Sequence, residues 1–204
     1  MTVRPVYLPP FRVDLDLRPG VPRVLPASAL AAALAAALRA GGAPEPASAG
    51  LVLADDRELA RLNAAHLGRR GPTDVLSFPL LPPRAFPGHP GRPAEPGPGA
   101  RRVEPAFLLP PGTRLNLGDV VVSVERAIAQ AEGGRGGQTG DLRWSAADEL
   151  RLLVVHGGLH LCGWDHAEPE EEAAMRALER AILAAPGGGS RGRAAGSPAV
   201  SPGQ

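Results

Sequence analysis

The chain has 204 residues, a formal charge of +1 and one cysteine, which suits one domain and marks no polyanion partner through a global field. Gly 26 and Pro 24 are concentrated in two stretches, 15 of the 33 residues of Leu80–Gly112 and 9 of the 19 of Pro186–Gln204. The remaining 152 residues have ordinary globular composition, which excludes a wholly disordered, collagen-like or disulfide-built chain.

Val13–Leu17 alternates apolar and acidic residues and predicts a strand. Ser28 is the expected cap of an Ala-rich helix with Leu30, Leu34 and Leu38 on one face, closed at Gly41–Gly42. Gly50–Leu53 predicts a short strand, and Asp55 with Glu58 opens a helix to about His66. Asp74–Phe78 predicts a third strand. Leu80–Gly112 reads as a mobile insertion, because proline at this density sustains neither helix nor inner sheet. Gly118–Val124 predicts the fourth strand and leads into a helix over Glu125–Glu132, followed by a flexible connection, Gly133–Gly140. Ser145 with Asp148 opens a long helix, and Pro169 opens a last one to about Ala185. The expected organisation is one domain over residues 1–185 and a disordered tail, 186–204. Strands alternating with helices imply an α/β or α+β layer around one sheet. Met1–Leu17 carries no signal-peptide pattern, and the longest apolar run, Ala29–Leu38, is too short to span a bilayer. With one Cys and no disulfide, a soluble cytoplasmic protein without a membrane partner is expected.

Residues 156–166 read His-Gly-Gly-Leu-His-Leu-Cys-Gly-Trp-Asp-His. His156 and His160 stand four apart on a predicted helix, so their rings share one face and can share one metal ion. Gly163 can turn the chain to return His166 as a third ligand. Three neutral imidazoles favour zinc, one per chain, with a fourth position left for water. Gly157 and Gly158 each cost roughly 1 kcal/mol in a helix interior, which suggests close backbone approach there. The spacing is also that of metzincin peptidases, but these need a Glu base where this chain has Gly157. A zinc peptidase is therefore the second reading, and a non-catalytic assembly factor with structural zinc the third.

The same run resembles the H-G-x-L-H-L-x-G-x-D-H signature of the YbeY family, bacterial single-strand-specific metallo-endoribonucleases that mature ribosomal RNA. Leu62-Asn63 followed by Pro72-Thr73-Asp74-Val75-Leu76-Ser77-Phe78-Pro79, and Leu117-Gly118-Asp119-Val120-Val121-Val122-Ser123, resemble its two other blocks in the same order. The resemblance implies zinc on His156, His160 and His166, and an α+β fold with one small mixed four-stranded sheet surrounded by helices. It also implies a single-strand-specific zinc endoribonuclease in 16S rRNA 3′-end maturation and late-stage ribosome quality control, with single-stranded rRNA and the small ribosomal subunit as partners. Many members carry Arg where this chain has Leu67, with Arg69 and Arg70 the nearest substitutes for contacting substrate; Trp164 stands where Tyr or His is more usual. The general base is left unassigned.

Among the remaining candidates, Cys162 reads as a small core residue. Asp165 reads equally as an orienter of a ligand or proton acceptor and as a partner of turn N–H groups. His66 and His89 are isolated in sequence. Asp55-Asp56 and Glu170-Glu171-Glu172 are explained by helix capping and the macrodipole. Arg57 and Arg61 read as a solvated helix face.

Overall fold

A computed structural model describes residues 3–92, 113–133 and 144–185. Its sheet has five strands, β1 (Arg4–Leu8), β2 (Phe11–Leu17), β3 (Ala47–Ala54), β4 (Val75–Pro79) and β5 (Leu115–Ser123), in the order β1-β2-β3-β5-β4. β2, β3 and β5 run parallel, while β1 and β4 are antiparallel edges. The four expected strands are present, and β1 is additional. It pairs Leu8 with Phe11 across Pro9–Pro10. Its residues are largely exposed and include Pro5, which an edge strand tolerates; with neither apolar alternation nor a buried run, it gives no sequence signal of its own.

The helices are α1 (Ala27–Ala40), α2 (Asp56–Leu67), α3 (Val124–Glu132), α4 (Ala146–Leu161) and α5 (Pro169–Ala184). Alternation along β5 divides the core between two faces. Val120 and Val122 join the main cluster, with Leu34 of α1 and Leu150 and Val154 of α4. Val121 faces the other way, with Leu59 of α2 and Leu76 of β4. Helix α1 starts differently from expectation. Pro26 occupies its N-cap without a side-chain bond, Ser28 lies inside the first turn, and the Pro26 carbonyl accepts from the Ala29 and Leu30 N–H groups.

The insertion also needs correction over its first part. Residues 80–92 hold a short 3-10 turn at Pro83–Ala85, Phe86 is buried in the main core, and His89 and Arg92 exchange backbone hydrogen bonds at 2.9 Å. Proline excludes helix and inner sheet, but it also restricts the unfolded chain, so a proline-rich segment with one buried aromatic can pack without regular structure. The rest of the insertion, the expected flexible connection beyond Gly133 and the tail lie outside the described residues. No helix among the described residues is long and apolar enough to cross a membrane.

Candidate metal centre

Helix α4 is fixed at both ends by its own sequence. Ser145 and Asp148 form a reciprocal capping box, the Asp148 N–H donating to Ser145 Oγ at 3.2 Å and the Ser145 N–H to Asp148 Oδ2 at 3.1 Å. At the other end Gly163 takes φ 81°. Its N–H donates to the His160 carbonyl and the Trp164 N–H to that of Leu159, a paired closure that needs the left-handed residue. The chain reverses there and brings His166 back to His156 and His160.

The glycine pair seats α4 against its neighbours. A Cβ on Gly157 would stand 2.5 Å from Val120 Cγ1, and one on Gly158 2.8 Å from Ala37 Cβ. The close approach expected from these two glycines is present, to β5 on one side and α1 on the other. Ser77 of β4 donates to the Gly157 carbonyl at 3.0 Å, so the edge strand is tied to the helix one residue from His156.

One nitrogen from each of His156, His160 and His166 lies within 4.8 Å of the others, a group that could hold a metal ion. His156 Nδ1 is 2.7 Å from Glu179 Oε1, and His160 Nδ1 is 2.8 Å from the Trp164 carbonyl. Both partners accept hydrogen bonds, so each Nδ1 carries a proton, and in the neutral ring it is Nε2 that presents the lone pair to a metal. The two Nε2 nitrogens stand 3.1 Å apart, an arrangement that suits two ligands of one cation. Burial, followed by repulsion from His156 when that ring is protonated, lowers the His160 pKa from 6.5 to about 4, which keeps the His160 imidazole neutral and available as a ligand.

Cys162 is not in the group. Burial pushes its thiol up to about 12, and its Sγ faces the Leu38 carbonyl at 3.8 Å. Asp165 Oδ1 accepts the His166 N–H at 2.8 Å, as a partner of turn N–H groups does. Arg69 and Arg70 are exposed in the loop after α2, where neither makes a side-chain hydrogen bond or ion pair among the described residues. Leu67 is exposed at the end of α2. His66 sets its ring edge against Phe78 at 5.0 Å.

His89 is isolated in sequence but not in the fold, since its ring stacks on Trp164 at 3.9 Å and 9°. Glu171 is more than a charge in the first turn of α5, because it is buried and accepts the Asp165 N–H at 2.7 Å. Sequence reasoning assigns Glu179 no role. Its signal is periodic: Glu171, Met175 and Glu179 follow at four-residue spacing and are the buried residues of α5, so two carboxylates occupy an inward stripe.

The model of the family described as Endoribonuclease YbeY matches residues 26–187. The chain belongs to the YbeY endoribonuclease family. Among its relatives, Endoribonuclease YbeY of Roseiflexus castenholzii is 35% identical over 176 residues, which is 86% of this chain and 92% of that protein. Endoribonuclease YbeY of Moorella thermoacetica is 39% identical over 160 residues, 78% of this chain and 86% of that protein. A solution structure from Thermotoga maritima is 18% identical with a TM-score of 0.45, covering 85% of this chain and 89% of that one. The YbeY match includes the three histidines, Glu179 and the turn at His89; β1 and β2 precede it.

Proposed function

We propose that the chain is a zinc-dependent, single-strand-specific endoribonuclease that acts in 16S rRNA 3′-end maturation and late-stage ribosome quality control, in the cytoplasm and on the small ribosomal subunit. The observation that carries the metal part is the pair of Nε2 nitrogens of His156 and His160 at 3.1 Å, with His166 completing the group. Three imidazoles leave a coordination position for chemistry, whereas structural zinc is usually closed by four protein ligands. Family membership carries the RNA part.

His156, His160 and His166 would hold the ion. When bound, zinc supplies a Lewis acid that makes water a stronger nucleophile and draws charge from a phosphoryl oxygen. Glu179 and the Trp164 carbonyl hold the ring protons of His156 and His160 on Nδ1, which fixes tautomer and orientation. Arg69 and Arg70 are exposed and have no side-chain partner among the described residues, and they would bind RNA phosphates and partly offset the missing arginine at Leu67.

The peptidase reading loses ground on packing as well as chemistry. The position of a metzincin base is Gly157, where even a Cβ would overlap Val120, so the backbone has no space for a glutamate. The test is incubation of metal-loaded protein with labelled single-stranded RNA, duplex RNA and casein, with and without chelator. Cleavage of single-stranded RNA alone, abolished by chelator, is expected. Casein cleavage would favour the peptidase, and no cleavage of any substrate the assembly factor.

A further inference from the structure

The proline-rich segment after β4 packs on the ligand loop twice, through Pro83 beside Gly163 and through one tight turn, His89-Pro90-Gly91-Arg92. The turn is closed by its own backbone, His89 and Arg92 each donating to the other at 2.9 Å. Three contacts join it to the chain that carries the third ligand. The His89 ring lies flat on the Trp164 indole at 3.9 Å. The Arg92 guanidinium donates to the Gly163 carbonyl. Gly91 packs so closely on α5 that a Cβ would stand 2.7 Å from the Glu171 nitrogen. Glu171 in turn stands 3.6 Å from His89 Nε2 and accepts the Asp165 N–H.

The residues held are the ones that aim the ligands. The Trp164 carbonyl accepts the His160 ring proton, and His166 follows two residues later. A shift of the Trp164 peptide would therefore turn one ligand and carry another with it. Gly163 needs its left-handed conformation, and its free carbonyl has no place in the helix ladder; Arg92 supplies the donor. The His89 side chain is only 7% exposed, so the stack is an interior contact.

We propose that the turn His89–Arg92 is a positioning strap for the divalent-metal site: His89, through Trp164, and Arg92, through Gly163, fix the backbone that orients His160 and His166. The inference rests on the reading that the three histidines bind zinc. Outer partners of metal ligands typically contribute about 10–100-fold to affinity, and His89 and Arg92 act one step further out, so a loss near the lower end, about tenfold, is expected.

The test is zinc affinity of the full chain, measured by competition with a chromophoric chelator, beside the melting temperature of each metal-free protein. His89→Ala should release zinc about tenfold more readily, Arg92→Gln should move in the same direction, and His89→Phe, which keeps a flat ring on Trp164, should bind nearly as wild type. A merely structural segment would lower the metal-free melting temperature and leave affinity unchanged. Wild-type affinity in both His89→Ala and Arg92→Gln, or equal loss in His89→Phe and His89→Ala, overturns the strap. Should His89→Ala fail to fold, Arg92→Gln, which removes one hydrogen-bonding group, decides alone. A wild-type protein that binds no zinc refutes the metal centre itself, and the strap with it.

Discussion

On one side of α4, Gly157 and Gly158 approach β5 and α1 so closely that a Cβ has no room. On the other, His156 and His160 project partly exposed rings whose remaining neighbours come from α5 and the loop beyond Gly163. The same helix is thus held by absence of side chains on one face and by side-chain hydrogen bonds on the other. Substitutions on the packed face should cost stability, while those on the ligand face should cost metal and leave the fold. The helix is a rigid platform because its inner face is full, and rigidity is what a three-histidine site needs.

The largest expected effect falls on the ligand face. His156→Ala, His160→Ala or His166→Ala should each weaken zinc binding by more than the roughly 100-fold that loss of an outer partner costs, with RNA cleavage lost in parallel. Metal analysis and the RNA assay on one preparation check this, and full zinc retention in any variant removes that residue from the set. On the packed face, Gly157→Glu restores the peptidase pattern in sequence but should lower unfolding stability by about 3 kcal/mol, combining overpacking with a buried carboxylate. Denaturant unfolding measures it. A stable variant that cleaves casein would reverse the assignment of the two faces.

The parts of this arrangement differ in how visible they are in a linear chain. His156, His160 and His166 fall within eleven residues, so helical periodicity and one glycine turn suffice to bring them together. Four of the five strands and the helix caps at Asp55 and Ser145 are equally local, each set by a short run of residues. The outer partners are not local. Glu179 lies 23 residues from the imidazole it orients, and Arg92 lies 71 from the carbonyl it reaches. Only the buried face of α5 hints at the first. For the second, proline density points the wrong way, because it reports which regular structures are forbidden and not what the segment packs on. β1 escapes for a related reason, being an edge whose pairing depends on β2.

A smaller effect probes the border between the faces. Glu179→Gln keeps the shape of the acceptor but removes its charge, and should weaken zinc binding by about tenfold with the melting temperature of the metal-free protein little changed. Chelator competition and thermal melting together check it; a large melting shift with unchanged affinity would move Glu179 to the packed side of the comparison.

The smallest effect is on pH dependence. The His160 pKa in the folded metal-free chain, about 4, lies below its usual 6.5. Between these values the unfolded chain binds a proton that the folded chain does not, so this contribution to stability is complete above about 6.5 and is lost as pH falls towards about 4. Melting of metal-free wild type and His160→Gln across that range should show a shallower fall in the variant. Parallel curves would mean that burial does not hold this imidazole neutral.

The most direct measurement is a zinc titration of metal-free protein, with bound zinc and cleavage of a single-stranded RNA followed in the same samples. The account predicts that cleavage rises with occupancy, reaches its limit at about one zinc per chain as a single three-histidine site requires, and is absent from a His156→Ala sample at the same zinc concentration. Cleavage by the metal-free protein, or a fully loaded protein that leaves single-stranded RNA intact, would contradict it.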